Sequence, residues 1–423
     1  MKKFTVILIV AALSQYTLKA QIGAIFSDDF PEFSTARIGI TGEYDLNSNA
    51  LPNSFISKFY TGGYIDESLK NNVLEGLRNK NRIGGNYGMG IYAAYRPDSI
   101  SHKKRYLSFF VSVRDRFHAD AQFSRDVYKL ALYGNQQFAG KTAYMNDFSL
   151  NVLHYQQFQV GMFSSNLDSA ARWGIGLSFL KGQDYLSVQA KKAELFTSED
   201  GQYIDFATEL EVEKSDTART GLGAFNGYGV GVDIYFEAPF ETRLGSSKIK
   251  LSVSDIGIIR YNKQTLTLKA DSTYHYNGIN VNSLFNINAD GSGSTESIID
   301  SILPFAKKGY SASLPAVFDL TYETKLTERF HIMEGMRYVF NANYGLLAYL
   351  RGNFYITPRF MMSATFGYGG YGGYGRFNYG LGLFTNFKNG VVVYAGSNNL
   401  EGYFAPKTHA GQGVYLSLIK NFK

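Results

Sequence analysis

Tyr228-Gly229-Val230-Gly231-Val232-Asp233-Ile234-Tyr235-Phe236-Glu237 is the stretch that decides the fold class. Tyr228, Val230, Val232, Ile234 and Phe236 share one face, whereas Gly229, Gly231, Asp233, Tyr235 and Glu237 share the other. A period of two belongs to a β-strand, and an apolar face opposite one with two carboxylates fits lipid outside and water inside. Residues 107–114 repeat the pattern, with Leu107, Phe109, Val111 and Val113 opposed to Ser108, Phe110, Ser112 and Arg114. In 346–356, Leu346, Ala348, Leu350, Phe354 and Ile356 oppose Tyr349, Arg351, Asn353 and Tyr355. The side chains predicted to line a lumen are therefore Arg114, Asp233, Tyr235, Glu237, Tyr349, Arg351 and Tyr355.

Shorter copies predict strands at 37–44, 87–95, 173–179, 249–255, 317–322, 379–387 and 391–394. Turn residues such as Lys388-Asn389-Gly390 separate neighbours and suit a tight hairpin. The result is an antiparallel meander, which must close on itself or leave two bare edges; in lipid, only closure satisfies every backbone group. The expected fold is an all-β transmembrane barrel of about 12 to 16 strands, with 14 the favoured even number. A soluble sandwich would also alternate, but bulky apolar outer faces on nearly every strand, with aromatic ends, suit membrane girdles better. The last strand carries Leu416, Leu418 and the penultimate Phe422, as a closing strand should, and resembles the terminal signal that barrel-assembly machinery reads.

The N-terminus places Lys2 and Lys3 before an apolar run from Phe4 to Leu13 and a polar step ending at Ala20. That is the layout of a secretory signal peptide, and the run is about half the roughly 20 residues of a spanning helix. Cleavage is expected after Ala20, leaving residues 21–423 as one barrel domain in the cell outer membrane. With no cysteine in the chain, disulfides, thiolate metal sites and an N-terminal lipid anchor on Cys are excluded. Lys and Arg number 42 against 36 Asp and Glu; losing Lys2, Lys3 and Lys19 leaves 39, a net charge of +3. No dense basic stripe is present, so nucleic-acid binding is not expected. Charged residues are only 18% of the chain, against about 25% in soluble domains.

Three stretches follow helical spacing instead: 68–80, 126–133 and 297–305. They predict short helices in long connections, either folded into the lumen or lying over a rim. Gly134 to Thr142 resembles a phosphate loop, but five residues separate the glycines where four are needed, so a structural turn is expected. The run at 367–382, GYGGYGGYGRFNYGLG, is read as strand in which tyrosine rings cover bare glycine backbone, or as an aromatic stacking surface in the lumen. His102, His118, His154, His275, His331 and His409 are scattered, so neither a metal site nor a catalytic constellation is legible. No catalytic residue and no cofactor is predicted, and the chain is read as a non-enzyme.

Taken in order, 133–140 (YGNQQFAG), 227–235 (GYGVGVDIY), 251–259 (LSVSDIGII) and 397–406 (SNNLEGYFAP), with the final strand, resemble an uncharacterised outer-membrane barrel family. The family comes from Gram-negative bacteria that use type IX secretion. Over the last third, such chains look similar to small barrels that accompany type IX secretion and gliding machinery. The resemblance implies an outer-membrane barrel and supplies no catalytic residues. The leading expectation is an accessory or structural barrel that contacts outer-membrane lipid and an envelope or secretion protein. A passive channel for small or hydrophobic solutes is the alternative, and a barrel hydrolase a minor one.

Overall fold

The computed structural model describes residues 34–97, 101–102, 105–164, 171–216, 218–219, 221–277 and 305–422. Fourteen strands form its wall: β1 (Ala36–Ser48), β2 (Asn81–Tyr95), β3 (Arg105–Phe123), β4 (Phe148–Ser164), β5 (Arg172–Thr197), β6 (Gly227–Thr242) and β7 (Gly245–Tyr261), then β8 (Val317–Lys325), β9 (Phe330–Val339), β10 (Leu347–Thr357), β11 (Phe360–Tyr368), β12 (Phe377–Asn386), β13 (Val391–Ser397) and β14 (Gln412–Phe422). Each pairs antiparallel with the next wall strand in the chain. β14 then returns to β1, in register from Ala36↔Phe422 to Leu46↔Gln412. The protein is a closed 14-strand antiparallel β-barrel with a few short helices, as its alternation predicts. Closure gives both flanks of every wall strand a hydrogen-bonding partner.

The deciding stretch lies in β6 and its two faces separate as read: Val230 is 65% exposed on the outside, whereas Asp233 is fully buried inside. Outward aromatics collect near both ends of the wall, including Phe109, Trp173, Phe236 and Phe354 at one and Phe117, Tyr228, Tyr368 and Tyr379 at the other. Such paired girdles are what two membrane interfaces select. Leu416, Leu418 and Phe422 sit on the outer face of β14.

The two rims differ. Turns between β6 and β7, β8 and β9, β10 and β11, and β12 and β13 are short. In the last of these the Phe387 N–H donates to the Val391 carbonyl (2.8 Å) and Gly390 adopts φ +80°, the left-handed geometry that glycine supplies. The longest connections, 49–80, 124–147, 198–226 and 262–316, leave from the opposite rim. There β5 outruns the wall: residues 172–182 pair with β6, while 186–197 pair with Ile204–Lys214, which in turn pairs with Leu266–Tyr276. The resulting ribbon stands past the rim with exposed ion pairs such as Lys191–Glu209.

Helices Glu67–Gly76 and Arg125–Tyr133 match the predicted 68–80 and 126–133, and their N-caps are Asp66 and Ser124, which accept from the N–H groups of Leu69 and Val127. Their apolar sides meet around Phe55, Val73 and Tyr128 and pack on Ile83, Phe123 and Phe148. In β2, β3 and β4 those three residues share parity with the outward-facing set. Both helices therefore cover the outside of the long-connection rim and leave the lumen free. The expected signal peptide, and the helix expected at 297–305 apart from Phe305, lie outside the described residues.

Candidate functional site in the lumen

Strand parity aims all seven sequence-selected side chains, Arg114, Asp233, Tyr235, Glu237, Tyr349, Arg351 and Tyr355, into the barrel. They fall into separate groups. Asp233 accepts hydrogen bonds from Arg114 Nη2 (3.1 Å), Gln159 Nε2 (2.5 Å) and the Asp255 N–H (2.7 Å). Asp255 reaches this position through a register shift between Val253 and Ile256, where it takes φ +58°. A bulge of this kind re-aims a side chain from the strand. Its carboxylate accepts in turn from Arg116 (2.8 Å), whose Nη1 lies 3.5 Å from Glu43. The network ties five wall strands together across the bore.

Nearer the short-turn rim, the Tyr235 hydroxyl donates to Glu237 (2.9 Å). Lys250 stands 3.6 Å from Glu237 and 3.2 Å from Glu323, and His331 is 3.4 Å from Glu323 on its other side. Of the three β10 residues, Tyr349 and Arg351 lie apart from both groups, while Tyr355 joins the second through His331. Tyr349 donates to Asp319 (3.0 Å), which also accepts from Arg337 (2.8 Å); Arg351 donates to Thr365 (2.8 Å) and Asn398 (3.1 Å). Tyr355 rests its ring on His331, with centroids 4.8 Å apart.

Both ends of the bore are crowded. A cluster including Tyr92, Phe110, Phe163 and Phe384 narrows the short-turn end. At the other end, 369–376 leaves the wall and carries Tyr371 inward against Tyr344, edge to face at 4.9 Å. This corrects the reading of 367–382 as continuous strand: Gly369, Gly370, Gly373 and Gly375 all have positive φ, so the glycines build a turn there. Cover of glycine by tyrosine occurs instead across strands, Tyr92 over Gly39 and Tyr349 over Gly335. From the 340–346 connection, Asn343 spans the mouth and its N–H donates to Asp120 of β3 (3.1 Å). Beside it, Asn47 donates to Asn378 (3.3 Å), Asn399 (3.0 Å) and Glu401 (3.1 Å). Between the ends lies a cavity of about 510 Å³ against β7 to β14 and β1, with Tyr235 of β6. It runs from beneath Tyr371 to Pro358 and Asn386 at the short-turn rim.

Several lumen residues escaped the sequence reading. Lys250 lies inside the strand predicted at 249–255 and Lys248 one residue ahead of it; both alternate with Ile249 and Leu251, so the pattern carries both. Asp319 is placed by the alternation of 317–322, but its partners depend on which strands meet across the bore; Gln159 lies in a strand that was not predicted, and Asp255 faces the bore only through its bulge. The string from Gly134 to Gly140 is a turn: both glycines have positive φ and flank the short Asn135–Phe138 helix. His118 lies between Asn86 and Asp120, each at 2.7 Å. Among the described residues, no three His, Cys, Asp or Glu side chains are grouped to hold a metal ion.

A family model described as a family of unknown function (DUF5723) matches residues 37–398. No curated protein matches the chain. Similar solved structures include a deletion mutant of the monoaromatic hydrocarbon channel TodX, at 8% identity over 96% of both chains with a TM-score of 0.46. The toluene transporter TodX of P. putida is similar at 8% identity over 96% of this chain and 95% of that one, TM-score 0.41. The translocator domain of the autotransporter NalP from Neisseria meningitidis is similar at 6% identity over 94% and 93%, TM-score 0.35.

Proposed function

We propose that this chain, which belongs to the DUF5723 family of unknown function, is a closed-bore barrel of a Gram-negative outer membrane with a non-catalytic accessory role in the envelope. The observation that carries this reading is the bore itself. Ion pairs and buried hydrogen bonds cross it at several levels, and Tyr371 and Asn343 cover the long-connection mouth. An open diffusion pore keeps a continuous water path lined by charge, whereas charges here are spent on one another. By the usual asymmetry of such barrels the short turns face the periplasm and the long connections the exterior. The signal peptide, removed after Ala20, delivers the chain to that compartment.

Two features suit a protein partner. The ribbon built from β5, Ile204–Lys214 and Leu266–Tyr276 presents a polar surface beyond the rim. Glu334 is exposed on the outward face of β9 between Ile332 and Met336. A carboxylate facing lipid is unfavourable, and a partner in the membrane plane would relieve it. In organisms with type IX secretion, that partner belongs to the secretion or gliding assembly. Affinity purification from gently solubilised membranes tests the reading: a stoichiometric partner is expected, lost or depleted in Glu334→Leu or when the ribbon is deleted. Recovery of a clean monomer would overturn the accessory role.

A further inference from the structure

We propose that the lumen cavity is a binding site for a neutral saccharide of a few rings, admitted from the short-turn rim. The inference depends on the cavity's walls and not on the accessory role, so it stands or falls separately from that reading.

At about 510 Å³ the cavity has the size of a small-molecule site. Its charges cancel: Lys248, Lys250, Arg337 and Arg351 line it together with four carboxylates, and the pairings Lys250–Glu323 and Arg337–Asp319 are direct. An anionic or cationic ligand would find no excess of opposite charge. A purely apolar ligand fits no better, because the same walls carry amide and hydroxyl side chains, among them Asn386, Asn398, Ser363 and Thr365, whose hydration it would strip without replacing.

Aromatic platforms complete the set. Tyr349 leans across Gly335 and Tyr415 across Gly396, where a Cβ on either glycine would collide with the ring. Each ring is thereby laid along the wall, and both line the cavity. Flat aromatic faces beside amide and hydroxyl side chains match a sugar, whose C–H faces stack while its hydroxyls bond in the ring plane. A hydrocarbon would use only the rings.

The test is titration calorimetry on the full-length protein in detergent with maltotriose, cellotriose and chitotriose, and with trialanine and toluene for comparison. At least one trisaccharide should bind saturably, and more tightly than trialanine or toluene. Tyr349→Ala should weaken it about tenfold or more, Tyr349→Phe much less, and Asn386→Ala severalfold. Unboiled gel migration establishes that each variant is folded; should Tyr349→Ala fail to fold, Asn386→Ala carries the test alone. Saturable binding of none of the three sugars, tighter binding of trialanine or toluene, or sugar affinity unchanged in the folded variants would overturn the proposal.

Discussion

Replacing Asp233 with alanine strikes the centre of the largest polar network. Its carboxylate is wholly buried and accepts from Arg114, Gln159 and the Asp255 backbone. Alanine would leave the buried Arg114 guanidinium without its counter-charge, only the Gln159 amide oxygen (2.9 Å) still accepting from it, and breaking a buried pair from one side costs about 3–5 kcal/mol. That corresponds to roughly two to three and a half powers of ten in the unfolding equilibrium. Trp173, the only tryptophan, lies on the outer face of β5, so its fluorescence reports loss of the lipid contact during urea unfolding from vesicles. Removing both charges, in Asp233→Ala with Arg114→Met, should recover much of the loss, because no stranded ion remains. A single variant within about 0.5 kcal/mol of wild type, which is the usual range of an unimportant surface change, would refute this reasoning. So would a double variant as unstable as the two singles added.

Two further effects are expected. Gly390→Val forces a β-branched residue into φ +80° and sets its Cβ 2.8 Å from the Asn421 carbonyl. A loss of about 1–2 kcal/mol in the same urea assay is predicted, and an unchanged midpoint would count against the turn geometry. Glu401 lies in the long connection between β13 and β14, where burial pushes its carboxyl from 4.5 up to about 7. The folded state then binds its proton more tightly than the unfolded chain does. Its contribution to stability is complete below about pH 4.5 and is lost as pH rises through 7. Glu401→Gln, which removes the titration and keeps one acceptor oxygen for Asn47 or the Tyr379 N–H, should flatten that pH dependence of the urea midpoint; a slope equal to wild type would contradict it.

The wall was legible because outer and inner positions of β3, β6 and β10 differ sharply in polarity. β4, β9 and β11 were not read: β4 mixes His154, Gln156 and Gln157 across both faces, and β9 sets Glu334 among its outward residues. Polar groups outside the apolar band, or facing outward within it, erase the alternation. The helices were legible by spacing, but their position was not. It depends on Ile83, Phe123 and Phe148, which belong to the extended tops of strands and offer apolar surface above the girdle. The inner faces of the predicted strands could be named residue by residue; the partners could not, because Arg114 and Asp233, 119 positions apart, meet only once the wall curves around the bore. The Tyr371 mouth was misjudged since glycine next to tyrosine suits both a covered strand and a tight turn, and only the positive φ values distinguish them.

Planar-bilayer recording of the purified wild-type barrel tests the closed bore most directly. Silent membranes are predicted, with conductance appearing only when Tyr371 and its connection, 369–376, are shortened. Steady, reproducible conductance from the unaltered protein would contradict the account and identify an open channel.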